Sequence, residues 1–140
     1  MKDNELIRRA AEFRSRAYAP YSGFAVGAAL LAASGRVYGG ANVENASYPV
    51  GICAERTAIA AAVTAGERAF EALAVIADSP APCAPCGMCR QMLMEFPLKR
   101  VILANTAGAV RVLTPAELLP HAFGAAALPV KEHTDENTDC

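Results

Sequence analysis

Two short runs hold the residues best suited to chemistry: Cys53-Ala54-Glu55-Arg56 and Pro85-Cys86-Gly87-Met88-Cys89-Arg90-Gln91. Cys86 and Cys89 are three apart, so on a helix they share one face and can present both thiolates to one ion. Cys53, from a second element, can supply a third. Tetrahedral zinc takes four ligands, and three from the protein leave the fourth position for water, as in a catalytic rather than a closed structural site. Bound there, water drops from a pKa of about 16 towards roughly 7. Glu55, two residues beyond the first ligand, can reach that water as a proton shuttle without ligating the metal.

Three thiolates on one Zn²⁺ leave a net negative charge, which makes bound water less acidic than it is under neutral histidines. Something must offset the excess. Ligands placed at helix N-termini receive backbone N–H groups and the positive end of the helix dipole, and Arg56 can hydrogen-bond a sulfur from the second shell. Alone, the Cys-x-x-Cys pair also fits a zinc knuckle or a redox dithiol, and Cys53-Ala54-Glu55 fits a buried cysteine beside a surface carboxylate.

The elements that must position these residues follow from periodicity and punctuation. Leu6, Ile7, Ala10, Phe13 and Ala17 recur at helical spacing, predicting a helix over 4–19 with Asp3 or Asn4 as cap and Pro20 as stop. Apolar Phe24–Ala33, then Ser34-Gly35, then Arg36–Val43 predict a β-hairpin. Cys53–Ala65 is an Ala-rich buried helix ending at Gly66, and Leu73–Ala77 a short strand. The run from Ser79 to Pro85 is too rich in proline for helix or central strand, and it leads into a helix over Cys86–Phe96. Lys99–Asn105 and Ala109–Leu113 are strands, and Thr114-Pro115-Ala116-Glu117 carries a capping box opening a short helix, Pro115–Leu119. This order predicts an α/β fold, a three-layer α-β-α sandwich around a five-stranded mixed sheet with helices on both faces.

The chain of 140 residues suits one domain, expected over 1–130, and the polar stretch 131–140, with one cation against four acids, is expected to be a disordered tail containing Cys140. Thirteen basic and fourteen acidic residues leave net charge −1, with no basic run interleaved with aromatics, so a nucleic-acid partner is not expected. No apolar stretch reaches the roughly 20 residues of a membrane span, and the polar start Met1-Lys2-Asp3-Asn4-Glu5 is unlike a secretory signal. A cytoplasmic protein binding a small neutral molecule is the expectation. Five cysteines in such a compartment point to metal or catalysis rather than disulfides.

Together the two cysteine motifs, each at a predicted helix start and 33 residues apart, match the zinc deaminase signature in its all-cysteine form. The chain resembles the cytidine deaminases of the short, homotetrameric type from the first helix to about Leu128. Two further stretches carry the likeness to nucleoside deaminases: Tyr18-Ala19-Pro20-Tyr21-Ser22-Gly23-Phe24-Ala25-Val26-Gly27-Ala28-Ala29-Leu30 and Asn42-Val43-Glu44-Asn45-Ala46-Ser47-Tyr48. Neither His121 nor His133 precedes an x-Glu pair, which excludes the variant with a histidine ligand.

The resemblance implies one zinc per chain on Cys53, Cys86 and Cys89, with Glu55 protonating N3 and then the departing ammonia while activated water adds to C4 of cytosine. It implies that Asn42 and Glu44 hydrogen-bond the ribose hydroxyls, which period-two geometry on one strand face permits. Phe24 would pack on the base, the Ala84 carbonyl and the Ala54 N–H would bind the pyrimidine amino and carbonyl groups, and Tyr48 would contact substrate. Phe123 would reach into a neighbouring subunit's site. Cys83 falls outside the family pattern, and its loop setting beside Pro85 makes it a bystander rather than a ligand. Pro49-Val50-Gly51 stands where the family usually has another small or polar run, in a loop expected near the 5′-hydroxyl and a subunit contact.

The implied reaction is zinc-dependent hydrolytic deamination of cytidine and deoxycytidine in pyrimidine salvage. Deaminases of a cytosine-containing antibiotic of the blasticidin S type share both cysteine motifs, but Glu44-Asn45 favours the nucleoside. A non-catalytic, zinc-stapled module would have no use for Glu55 poised over an open position.

Overall fold

Along β1 (Val26–Ala32) side chains alternate between two cores: Ala28, Leu30 and Ala32 point to one side of the sheet, Ala29 and Leu31 to the other. Both sides are covered, which is why this strand is almost uninterruptedly apolar. The computed structural model, which describes residues 1–129, places β1 between β2 (Val37–Ala41) and β3 (Phe70–Ala77), followed by β4 (Leu98–Asn105) and β5 (Val110–Leu113), in the order β2-β1-β3-β4-β5. Only β3 and β4 pair in parallel.

Helix α1 (Asp3–Arg14) covers one face, packing Leu6 and Ala10 on Ala29, Ala74, Ile76 and Ile102. Helices α2 (Ala54–Thr64), α3 (Gly87–Glu95) and α4 (Pro115–Leu118) cover the other, around Leu30, Ile59, Leu73, Val75, Leu93 and Leu103. The expected three-layer α-β-α sandwich with a five-stranded mixed sheet is the observed architecture. Each fully buried Leu or Ile in these layers contributes roughly 1.5–3 kcal/mol. Among the described residues, no helix is long and apolar enough to cross a membrane.

Three expectations need correction. The first helix ends at Arg14 rather than Ala19, because the chain beyond it pairs elsewhere: Tyr18 N–H donates to Asn42 O (2.9 Å) and Tyr18 O accepts from Glu44 N–H (2.8 Å). Its N-cap is Lys2, while the Asp3 carboxylate instead receives the Arg100 guanidinium at 2.7 Å. Strand β3 starts at Phe70, three residues earlier than expected, where Phe70 meets Phe96 edge to face at 5.6 Å. The capping box at Thr114 forms as expected, with Glu117 N–H donating to Thr114 Oγ1 at 3.2 Å. The tail 131–140 lies outside the described residues.

Candidate active site

The sheet brings the two cysteine motifs together because α2 and α3 lie on the same face and start at the same end. Cys53 is the N-cap of α2 and Cys86 the N-cap of α3, so both sulfurs stand where unpaired backbone N–H groups collect. Helix α2 can sit this low only because residue 40 of β2 lacks a side chain. A Cβ at Gly40 would lie 2.3 Å from Ala54 O and 2.5 Å from Ala58 N.

The Sγ atoms of Cys53, Cys86 and Cys89 all lie within 4.8 Å of one another, and Cys53 and Cys86 are 3.7 Å apart. Two thiolates bound at about 2.3 Å to one tetrahedral ion would stand about 3.8 Å apart, so the Cys53–Cys86 spacing suits a shared metal ion and Cys89 is near enough to join them. Arg56 Nη2 donates to Cys53 Sγ at 3.7 Å. Cys53 accepts from Cys89 and faces Arg56, which together hold its thiol down to about 5. Cys89, donating to Cys53 and buried, is pushed up instead. The Cys53 thiol is thus electrostatically prepared to give up its proton to a cation.

Glu55 is 3% exposed and one of two buried polar side chains among the described residues; the other is Asn105. Burial raises its carboxyl pKa above the ordinary 4.5, and the neighbouring Cys53 charge adds to the rise. It opens onto a cleft of about 230 Å³ that also takes in Cys53, Ala54, Cys86, Ala84, Phe24, Asn42 and Glu44. A buried carboxyl of raised pKa beside a three-sulfur cluster, in a cleft, is suited to proton transfer near neutral pH.

Asn42 and Glu44 are brought to this cleft, but not as part of β2, which ends at Ala41. Asn42 N–H still reaches Val26 O of β1 (3.3 Å), but beyond it Val43 pairs with Ile52 and Tyr18, so the chain leaves β1 at this point. Asn42 is fixed by Val26 N–H donating to its Oδ1 (2.9 Å) and by its own Nδ2 donating to Phe24 O (2.8 Å). Glu44 accepts from Tyr21 N–H and Ser22 N–H, each at 3.0 Å, and from the Ser22 hydroxyl. These bonds, the hydroxyl first, hold its carboxyl below 4.5.

Cys83 is outside the sulfur cluster, as expected of a non-ligand, yet it is half-buried in the cleft wall rather than away from the site. Its burial pushes the thiol up to about 11. Its N–H donates to Ala104 O (3.0 Å), which ties the proline-rich loop to β4. Ser22, which orients Glu44, was not singled out in the sequence; a serine in a turn offers no signal of a partner 22 residues away.

Tyr48 and Phe123 are not in this cleft. Tyr48 lines an adjoining cleft of about 310 Å³ with Tyr21 and Asn45, and the two clefts share Ser22 and Glu44. Phe123 is 61% exposed, and its carbonyl accepts from Gln91 Nε2 at 2.8 Å.

Residues 1–105 match the family described as the cytidine and deoxycytidylate deaminase zinc-binding region. The chain is 49% identical over 125 residues to the cytidine deaminase of Sporosarcina psychrophila, covering 88% of this chain and 92% of that protein. It is 50% identical to a cytidine deaminase from Burkholderia pseudomallei of known crystal structure, with a TM-score of 0.86 over 88% of this chain and 100% of that one. The crystal structure of the Mycobacterium tuberculosis cytidine deaminase is also similar, at 39% identity and a TM-score of 0.76 over 89% of this chain and 99% of that one.

Proposed function

The chain belongs to the cytidine and deoxycytidylate deaminase family, and from that premise we propose that it hydrolyses cytidine and deoxycytidine to uridine and deoxyuridine, releasing ammonia, in pyrimidine salvage. The observation that carries this reading is the placement of Glu55, buried, on a cleft lined by Cys53 and Cys86, two of the three sulfurs that lie within 4.8 Å of one another. Residues 1–130 are the catalytic domain in this reading.

Cys53, Cys86 and Cys89 would hold a zinc ion, which would supply the Lewis acidity that lets water lose a proton near neutral pH. Glu55 does the proton work. Its carboxylate takes a proton from the attacking water and delivers it to N3 of the base as the C4–O bond forms. It then takes the remaining proton from the new C4 hydroxyl and carries it to the exocyclic nitrogen, the C4–N bond breaks, and ammonia leaves a C4 carbonyl behind. Arg56 steadies Cys53 and offsets the thiolate charge.

The substrate is positioned by groups already held in place. The Ala84 carbonyl accepts from the 4-amino group and the Ala54 N–H donates to the 2-carbonyl, while Phe24 packs on the ring. Asn42 and Glu44 meet the ribose hydroxyls. A carboxylate offers about four acceptor sites, and the three donors on Glu44 leave room for one more.

The family includes deaminases of nucleosides and of nucleotides, and charge favours the nucleoside here. Among the described residues, neither the cleft nor its neighbour is lined by Lys or Arg, while both are lined by Glu44. A 5′-phosphate would enter without a partner and against a carboxylate. The exposed Phe123 and the cleft at Tyr48 and Gly51 suit a homotetramer in which each site is finished by a neighbour. Loss of cytidine absorbance in the ultraviolet on adding purified protein tests the reading, and its absence with zinc-loaded protein overturns it.

A further inference from the structure

Asn105 is the second of the two buried polar side chains, at 4% exposure, and none of the chemistry above uses it. It is the last residue of β4, opposite Ala77 at the end of β3, so it stands at the carboxyl ends of the parallel strand pair. Its Oδ1 accepts from Ala109 N–H (2.8 Å), which closes the β4–β5 turn. Its Nδ2 donates across to Ser79 O at 3.0 Å and faces Pro80 O at 3.4 Å.

That loop holds itself only through Ser79, whose hydroxyl donates to Ala81 O at 2.7 Å. Pro80, Pro82 and Pro85 have no N–H, so the loop has fewer backbone donors than carbonyls and outside donors meet several of them. Arg90 Nε ties the far end at Pro85 O (2.8 Å), and Cys83 N–H ties the middle to Ala104 O (3.0 Å). At the near end Thr106 holds Ala77 and Asp78, through its N–H (3.1 Å) and its hydroxyl (3.0 Å), and Asn105 holds the next two residues, Ser79 and Pro80. Cys83 and Ala84, between the near and far ties, line the same cleft as Glu55.

We propose that Asn105 is a positioning residue for the reaction: by clamping Ser79 and Pro80 to the β4–β5 turn, it sets where Ala84 stands against the base. It acts through the loop and touches no substrate. The proposal rests on the deaminase reading, in which the Ala84 carbonyl takes the 4-amino group of cytidine. Because uridine has an oxygen at that position, a correctly placed carbonyl attracts cytidine and repels uridine.

The test compares Asn105→Ala and Asn105→Asp with the unsubstituted, zinc-loaded enzyme. Both variants remove the donor to Ser79 O, and the second keeps the size and the oxygen facing Ala109. Expected is a KM for cytidine raised about tenfold with little change in kcat, against a shift of less than about twofold in inhibition by uridine. Zinc content should match the unsubstituted enzyme, and the Cys83 amide should exchange hydrogen faster while the Thr57 amide in α2 does not. Unchanged kinetics in either variant overturns the proposal. So does an equal weakening of cytidine and uridine, or loss of the fold in both variants, since either makes Asn105 a support of the fold alone. Absence of cytidine turnover in the unsubstituted enzyme is a separate outcome, and it removes the deaminase reading along with this one.

Discussion

Cys53 and Cys86 are 33 residues apart in the chain, yet each is the N-cap of its helix and their sulfurs stand 3.7 Å apart. The candidate metal site is therefore built between two helix starts, and it depends on how those helices are seated. Elemental analysis of purified protein should find one zinc per chain. Cys86→Ala should lose the metal and the activity together, because a two-sulfur remnant cannot fill a tetrahedral set. Cys83→Ala should keep both. Loss of zinc from Cys83→Ala would move the ligand assignment to another sulfur.

Glu55→Gln preserves shape but cannot carry a proton. It should bind zinc and nucleoside as before while turnover falls by at least about 10²–10⁴-fold, the range typical of a lost acid–base group. A zinc-loaded Glu55→Gln protein with near-normal turnover would remove Glu55 from the proton path.

Gly40→Ala tests the seating of α2. The added methyl would collide with Ala54 O and Ala58 N, both backbone atoms that cannot swing aside. A cost of about 1–3 kcal/mol is expected, visible as a melting temperature lower by several degrees, with weaker zinc retention because Cys53 moves with the helix. An unchanged melting temperature would show that β2 and α2 are not so tightly apposed.

The pH response of sugar binding follows from Glu44. Its donors stabilise the carboxylate, so the folded chain binds this proton less tightly than the unfolded chain does. The stability it contributes is therefore present in full above about 4.5 and fades as pH falls through the lowered folded value. KM for cytidine should accordingly stay level from neutral down to about 4.5 and rise only below it. Ser22→Ala removes the largest cause of the lowering, so its rise should begin at higher pH. Identical pH profiles for the two proteins would take Ser22 out of this role.

The sequence made the layers, the strand order in the chain and the sulfur cluster legible, because each depends on local spacing: apolar alternation in β1, thiols three apart at a helix start, Thr114 three before Glu117. What it hid was settled by distant partners. Tyr18 ends its helix early only because Asn42 and Glu44 claim its backbone, and the same pairing takes Asn42 and Glu44 off the strand they were expected to extend. Ser22, Cys83 and Asn105 owe their positions to bonds with residues 22, 21 and 26 places away, which no periodicity announces.

Phe123 separates a site completed within one chain from a site shared between chains. Its side chain is 61% exposed in the single chain and does not line the cleft that holds Glu55. Gln91, on α3 two residues beyond Cys89, holds the Phe123 carbonyl and so fixes the segment relative to the metal helix. Burying such a ring against a neighbour's bound base would recover apolar area that the lone chain leaves in water. Mixing variants distinguishes the two arrangements. Phe123→Ala and Glu55→Gln should each be poor enzymes alone, the first for want of a donated ring and the second for want of the proton carrier. In a mixed tetramer some sites would combine an intact Glu55 from one chain with an intact Phe123 from another. Unfolding the two variants together and refolding them should therefore yield more activity than the sum of the separately refolded parents. If tagged chains prove that mixed tetramers form and no such gain is seen, each site draws on one chain only and Phe123 does not cross between subunits.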